Sequence, residues 1–105
     1  MDTAYFKGTL QVKKTAGGWR HYILLGDGSH YDLHCGSSLE VQLGEWVPDN
    51  EGEHFEARNW LAGRYEANLS SDNPKAHLYI GYAAPLGQGV YVVMPTGIRV
   101  RHSKK

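Results

Sequence analysis

Ser38-Leu39-Glu40-Val41-Gln42-Leu43 alternates polar and apolar side chains without a break. In an extended backbone successive side chains leave by opposite faces. Leu39, Val41 and Leu43 then share one face, and Ser38, Glu40 and Gln42 share the other. One dry face and one wet face is the pattern of a strand in a sheet packed on one side. The same period of two recurs outward in both directions. Upstream, Cys35-Gly36-Ser37 reads as a turn, 30–34 as a short strand and 19–25 as another. Gly26-Asp27-Gly28-Ser29 between those two contains Asp-Gly, a strong hairpin dipeptide because glycine accepts positive φ. Further upstream, 5–13 puts Phe6, Gly8, Leu10 and Val12 opposite Tyr5, Lys7, Thr9, Gln11 and Lys13, and 15–18 turns the chain.

Downstream, Gly44 and Glu45 lead into Trp46-Val47, and Pro48 is expected to end the pairing. Residues 49–53 are the most polar stretch and read as a loop. Residues 54–60 and 64–69 read as strands. The run 53–67 also admits a short helix, because Phe55, Asn59 and Ala62 fall at helical spacing. A loop at 70–74 follows. The strand 77–82 places Leu78, Ile80 and Tyr82 on one face. Strands at 89–94 and 98–102 are separated by a tight turn at 95–97, and 103–105 is expected to fray.

Six to eight short strands at this spacing predict an all-β fold, specifically a compact SH3-like barrel, since closure removes exposed sheet edges. The length of 105 residues suits a single domain over 1–105. Eleven basic and eleven acidic side chains give no net charge. That counts against general duplex binding, which draws its affinity from phosphate neutralisation. One cysteine, Cys35, allows no internal disulfide. No apolar run is long enough for a signal peptide or a membrane span, so a cytoplasmic location is expected, with no membrane partner.

Leu33-His34-Cys35-Gly36-Ser37-Ser38-Leu39-Glu40-Val41, the following Trp46-Val47-Pro48 and the closing Gly97-Ile98-Arg99-Val100-Arg101 resemble a family of short bacterial domains of unknown function. That family carries an L-H-C-G-x-x-L-E-V signature and a terminal G-[IL]-R-V-R strand. The resemblance implies a small β protein, often from a phage or other mobile element, and no activity. This chain departs from the pattern by a longer segment between Pro48 and Gly89. The inserted segment, within 49–88, is where a specific function would then sit.

Candidate chemistry is sparse. His34 and Cys35 are neighbours, and neighbours in a strand point apart, so a thiol–imidazole pair is disfavoured. A buried Cys35 ahead of a turn glycine is the expectation. His21, His30, His34 and Cys35 lack the paired spacing of zinc ligands. No metal and no cofactor is expected, and Gly87-Gln88-Gly89 lacks the context of a phosphate loop. Glu45, Asp49, Glu51, Glu53 and Glu56 form an acidic cluster, read as a solvated loop, as a patch for a basic partner, or as the acid pair of a small hydrolase, which would need one carboxylate held apart with a raised pKa. Trp19, Trp46 and Trp60 are mainly core candidates. If exposed, Trp60 beside Arg58 or Arg64, with Glu51 and Glu53 nearby, would make an interface anchor. Arg99, Arg101, Lys104 and Lys105 form a basic end, which Lys13 and Lys14 would join if the first and last strands pair. Beside Tyr5, Tyr79 or Tyr91 that end could stack single-stranded bases. The sequence therefore points first to a non-catalytic module that docks on a protein partner. A single-stranded RNA or DNA binder is the alternative. Homodimerisation through an edge strand is open.

Overall fold

The computed structural model describes residues 4–104, and over them the chain is all β. The strands are β1 (Tyr5–Thr15), β2 (Gly18–Leu25), β3 (His30–Asp32), β4 (Ser38–Asp49), β5 (Gly52–Glu66), β6 (Ala76–Ala83), β7 (Gln88–Met94) and β8 (Arg99–Ser103). They form one antiparallel sheet in the order β3-β2-β1-β8-β4-β5-β6-β7. The last strand crosses back to lie between the first and the fourth.

Three expectations are corrected here. First, the sheet curls but does not close, so there is no SH3-like barrel: β3 and β7 stand at opposite ends of the order. The reason lies in the chain after β3, which turns rather than continuing as a strand. Leu33 N–H donates to the His21 carbonyl, Gly36 N–H to the Tyr65 carbonyl and Tyr65 N–H to the Ser37 carbonyl. These bonds stitch β2 to β5 through the 33–37 connection, covering the core without an additional strand. Second, 53–67 holds no helix; the candidate strands at 54–60 and 64–69 lie largely within one long strand, β5. Gln42 faces Trp60 and Gly44 faces Ala57, so Arg58 and Asn59 together oppose Leu43 alone. This β-bulge inserts a step of three into a period of two. The broken alternation is what left a helix open in the sequence.

Pro48 does not end β4 either; it pairs with Glu53 near the hairpin tip. β8 reaches β4 only at Glu40 and Val41. At Pro48 the strand therefore has a neighbour on one side only, where a missing N–H is tolerated.

The core holds Leu10, Ile23, Leu33, Leu39, Val41, Tyr65, Ala76, Leu78, Met94 and Val100, all buried. Leu39 and Val41 face inward as their alternation requires, but Leu43 lies beyond the core and is exposed. Gly63 is needed inside β5, because an added Cβ would lie 2.8 Å from Leu78 Cγ and collide with the Tyr79 carbonyl of β6. Phe6, Tyr31 and His102 stack beside the core, with Phe6 and Tyr31 centroids 4.3 Å apart.

Two hairpins project beyond this core. β6 pairs with β5 only at Arg64, Tyr65 and Glu66, so the far part of β4–β5 is paired only within itself. The β6–β7 hairpin likewise continues past its last contact with β5. The radius of gyration is 15.4 Å, against about 13 Å for a compact domain of this length.

Candidate functional site

The β4–β5 hairpin has an aromatic face and an ionic face, and the bulge creates both. β4 keeps its alternation through Gln42, Gly44 and Trp46. β5 changes face at Arg58–Asn59, which brings Ala57 and Phe55 opposite Gly44 and Trp46. Trp46 and Phe55 meet edge to face, centroids 5.5 Å apart, with 65% and 51% of their surfaces exposed. Gly44 makes room for this, because a Cβ there would collide with the Phe55 ring.

The opposite face carries Glu45 directly across from Glu56. Like charges so placed repel, and Arg58 offsets them, its Nη2 lying 2.9 Å from Glu45 Oε1 and 2.5 Å from Glu56 Oε2. The hydrogen bond to Glu45, then the charge of Glu56, pushes the Arg58 pKa up. His54 bridges Asp49 at 2.7 Å and Glu56 at 3.1 Å. Residues 44–58 hold five carboxylates and one arginine, a net charge of −4 with His54 neutral; the remainder of the neutral chain carries +4.

The aromatic face overlooks an open cleft of about 480 Å³, lined by Thr9, Gln42, Phe55, Ala57, Ile98 and Arg99 among others. Arg99 Nη1 donates to Gln42 Oε1 at 3.3 Å across its floor. The cleft is apolar along the hairpin and polar along β1 and β8, a mixture suited to an apolar anchor with polar flanks.

The residues singled out in the sequence are distributed differently from the expected grouping. Trp60 is half-buried beside Arg101 of β8, not beside Arg58 or Arg64. The Arg101 guanidinium lies 4.2 Å from the Trp60 ring centroid and 4.1 Å from that of Tyr5. Its Nη2 is 3.0 Å from Glu40 Oε1. Arg64 pairs with Glu66 at 2.9 Å. Glu51 and Glu53 sit at the hairpin tip, where Glu51 N–H donates to Asp49 Oδ1. Trp46, placed mainly with the core candidates, is instead an exposed tryptophan. Its position was readable: continued alternation from Glu40 and Gln42 already puts it outward. Phe55 was not readable, because the bulge that moves it has no mark in the residue types.

The basic end is likewise dispersed. β1 and β8 do pair, but only from Tyr5 to Thr9. Lys13 instead meets Asp32 at 2.9 Å, and Lys14 lies over Trp19, so neither joins Arg99 and Arg101. Lys104 lies over Phe6, and Lys105 falls outside the described residues. Tyr5 flanks Arg101, whereas Tyr79 and Tyr91 stack on each other between β6 and β7.

Cys35 is exposed, not buried as expected, its Sγ 3.4 Å from the Ala67 carbonyl. Its turn lies outside the sheet, and the 33–37 connection bridges β2 and β5 chiefly through backbone hydrogen bonds. His34 lies against Arg20 at 3.0 Å, His30 stacks on Tyr22, and His21 is in the core. The four do not converge. Among the described residues no three His, Cys, Asp or Glu are arranged to hold a metal. No helix there is long and apolar enough to cross a membrane.

Among the described residues, His21 is the buried polar side chain of the core, 1% exposed. Its Nε2 lies 3.2 Å from the Pro74 carbonyl, which can only accept, so Nε2 carries the proton. Nδ1 then accepts from the Tyr65 hydroxyl at 2.6 Å. Burial lowers the His21 pKa from its ordinary value and raises that of Tyr65. The pair ties β2 to β5 and to the 74 loop, a structural role. No family model, curated protein or solved structure matches the chain.

Proposed function

We propose that this protein is a non-catalytic binding module that docks a protein partner on the aromatic face of the β4–β5 hairpin. The observation that carries the reading is the exposed Trp46–Phe55 pair beside an open cleft, on the projecting part of the hairpin, residues 44–57, which contributes no side chain to the core. Aromatic side chains held in place yet facing water are the residue type enriched at interface hot spots. The surplus of carboxylates around them favours a partner segment with basic flanks. The resemblance of residues 33–41, 46–48 and 97–101 to short bacterial domains supports a phage or mobile-element setting.

The second reading, a single-stranded nucleic acid on β8, draws on the row of Arg99, Arg101 and Tyr5. It is the weaker one, because Glu40 already meets the Arg101 charge and two rings cover its faces. The two separate in one experiment: affinity capture from a lysate of the encoding organism with the native chain, Trp46→Ala/Phe55→Ala and Arg99→Ala. The docking reading expects a protein retained by the native chain and Arg99→Ala, and lost on the double variant at unchanged thermal stability. Retention of nucleic acid alone, sensitive to salt and to Arg99→Ala, would replace it.

A further inference from the structure

We infer that the free edge of β7 is a self-association surface, and that its occupant is the β7 strand of a second copy of this chain. The inference rests on observations separate from the β4–β5 hairpin. β7 is the last strand of the order, paired on one side only among the described residues. It is seven residues long, and both of its faces stand open. Val90 and Val92 on one side, and Tyr91 and Val93 on the other, are 38–52% exposed. With Ile80, Tyr82 and Leu86 they make the β6–β7 hairpin the most apolar exposed region of the molecule.

Edge strands that must stay solitary carry lysine, proline or an inward charge. β7 has none of these. No Asp, Glu, Lys or Arg occurs anywhere between Lys75 and Arg99, a run of 23 residues. In a chain that is one-fifth charged, this leaves one edge along which two copies can approach without meeting a like charge. The sequence also fits itself. In an antiparallel pair about a two-fold axis at Tyr91, the midpoint of β7, Tyr91 faces Tyr91 and Val90 faces Val92 of the other copy. Every pair from 90 to 92 is then aromatic or β-branched, the combination that stabilises cross-strand neighbours. A hairpin pairing of this kind is isologous and closes at two. Another protein's strand could use the same edge, but the match of Val90-Tyr91-Val92 to its own reverse favours self-pairing.

The test is sedimentation of the full chain from micromolar to millimolar concentration, beside Tyr91→Lys and Trp46→Ala/Phe55→Ala. The expected result is a dimer of the native chain. Tyr91→Lys, which sets two ammonium groups opposite each other, should weaken it on the order of tenfold or more, while the Trp46/Phe55 variant leaves it unchanged. Circular dichroism checks that Tyr91→Lys keeps its sheet. Should that variant unfold, Tyr91→Cys in a Cys35→Ser background serves instead: mild oxidation should link two copies, and Trp46→Cys in the same background should not. A native chain that stays monomeric throughout, or a dimer indifferent to residue 91, would overturn the inference.

Discussion

His21 shows how one buried side chain makes stability depend on pH. Its folded pKa lies below the ordinary histidine value of 6.5. Below pH ~6.5 the unfolded chain binds a proton that the folded core refuses, so stability is full above that pH and falls as the pH drops, until the folded ring itself is protonated. The slope attributable to this one group is at most about 1.4 kcal/mol per pH unit. Denaturant melts between pH 7.5 and 5.5 should show the decline, and NMR should find His21 titrating below the ordinary histidine value, with the proton on Nε2. A His21 that titrates at the ordinary value would contradict its burial in the core. None of this was legible beforehand. His21 sits between Arg20 and Tyr22 in an ordinary strand pattern, and only the fold brings Tyr65 and the Pro74 carbonyl to its two nitrogens. Cys35 fails in the opposite sense: general burial statistics put it inside, and a turn that lies off the sheet put it outside.

At the scale of elements, alternation predicted much and its interruptions decided the rest. Leu39 and Val41 against Glu40 and Gln42, or Phe6, Gly8 and Leu10 against Tyr5, Lys7 and Thr9, could be placed by counting in twos. The two-residue bulge opposite Leu43 could not be, and the candidate site depends on it. Deleting Asn59 should remove the bulge and leave Phe55 opposite Trp46, because the pairs from Gly44–Ala57 to Asp49–Gly52 are counted from the hairpin turn. The expected outcome is strict alternation through β5, with ring-to-ring nuclear Overhauser contacts between residues 46 and 55 retained. Contacts among Leu39, Tyr65 and Leu78 should persist. Loss of the 46–55 contacts would show that the register is set at the bulge and not at the turn.

At the scale of the molecule, an all-β fold of six to eight strands was legible and its closure was not. A barrel would have hidden every edge; the curled sheet instead leaves β7 uncovered and lets two hairpins stand clear of the core. Closure depends on where the chain goes after β3, and the backbone bonds of residues 33–37 to His21 and Tyr65 are invisible in a pattern of side chains.

One detail of the sheet reaches further. Because β8 lies against β1, Tyr5 faces Ser103 and Lys104 N–H donates to the Ala4 carbonyl at 3.0 Å. The two extremities of the fold are thus side by side. A short glycine-rich bridge between them, with the backbone cut at exposed Asp72–Asn73, should yield a circular permutant with native far-ultraviolet dichroism and a cooperative melt. By the same proximity, cargo fused to either extremity is delivered to one spot on the surface.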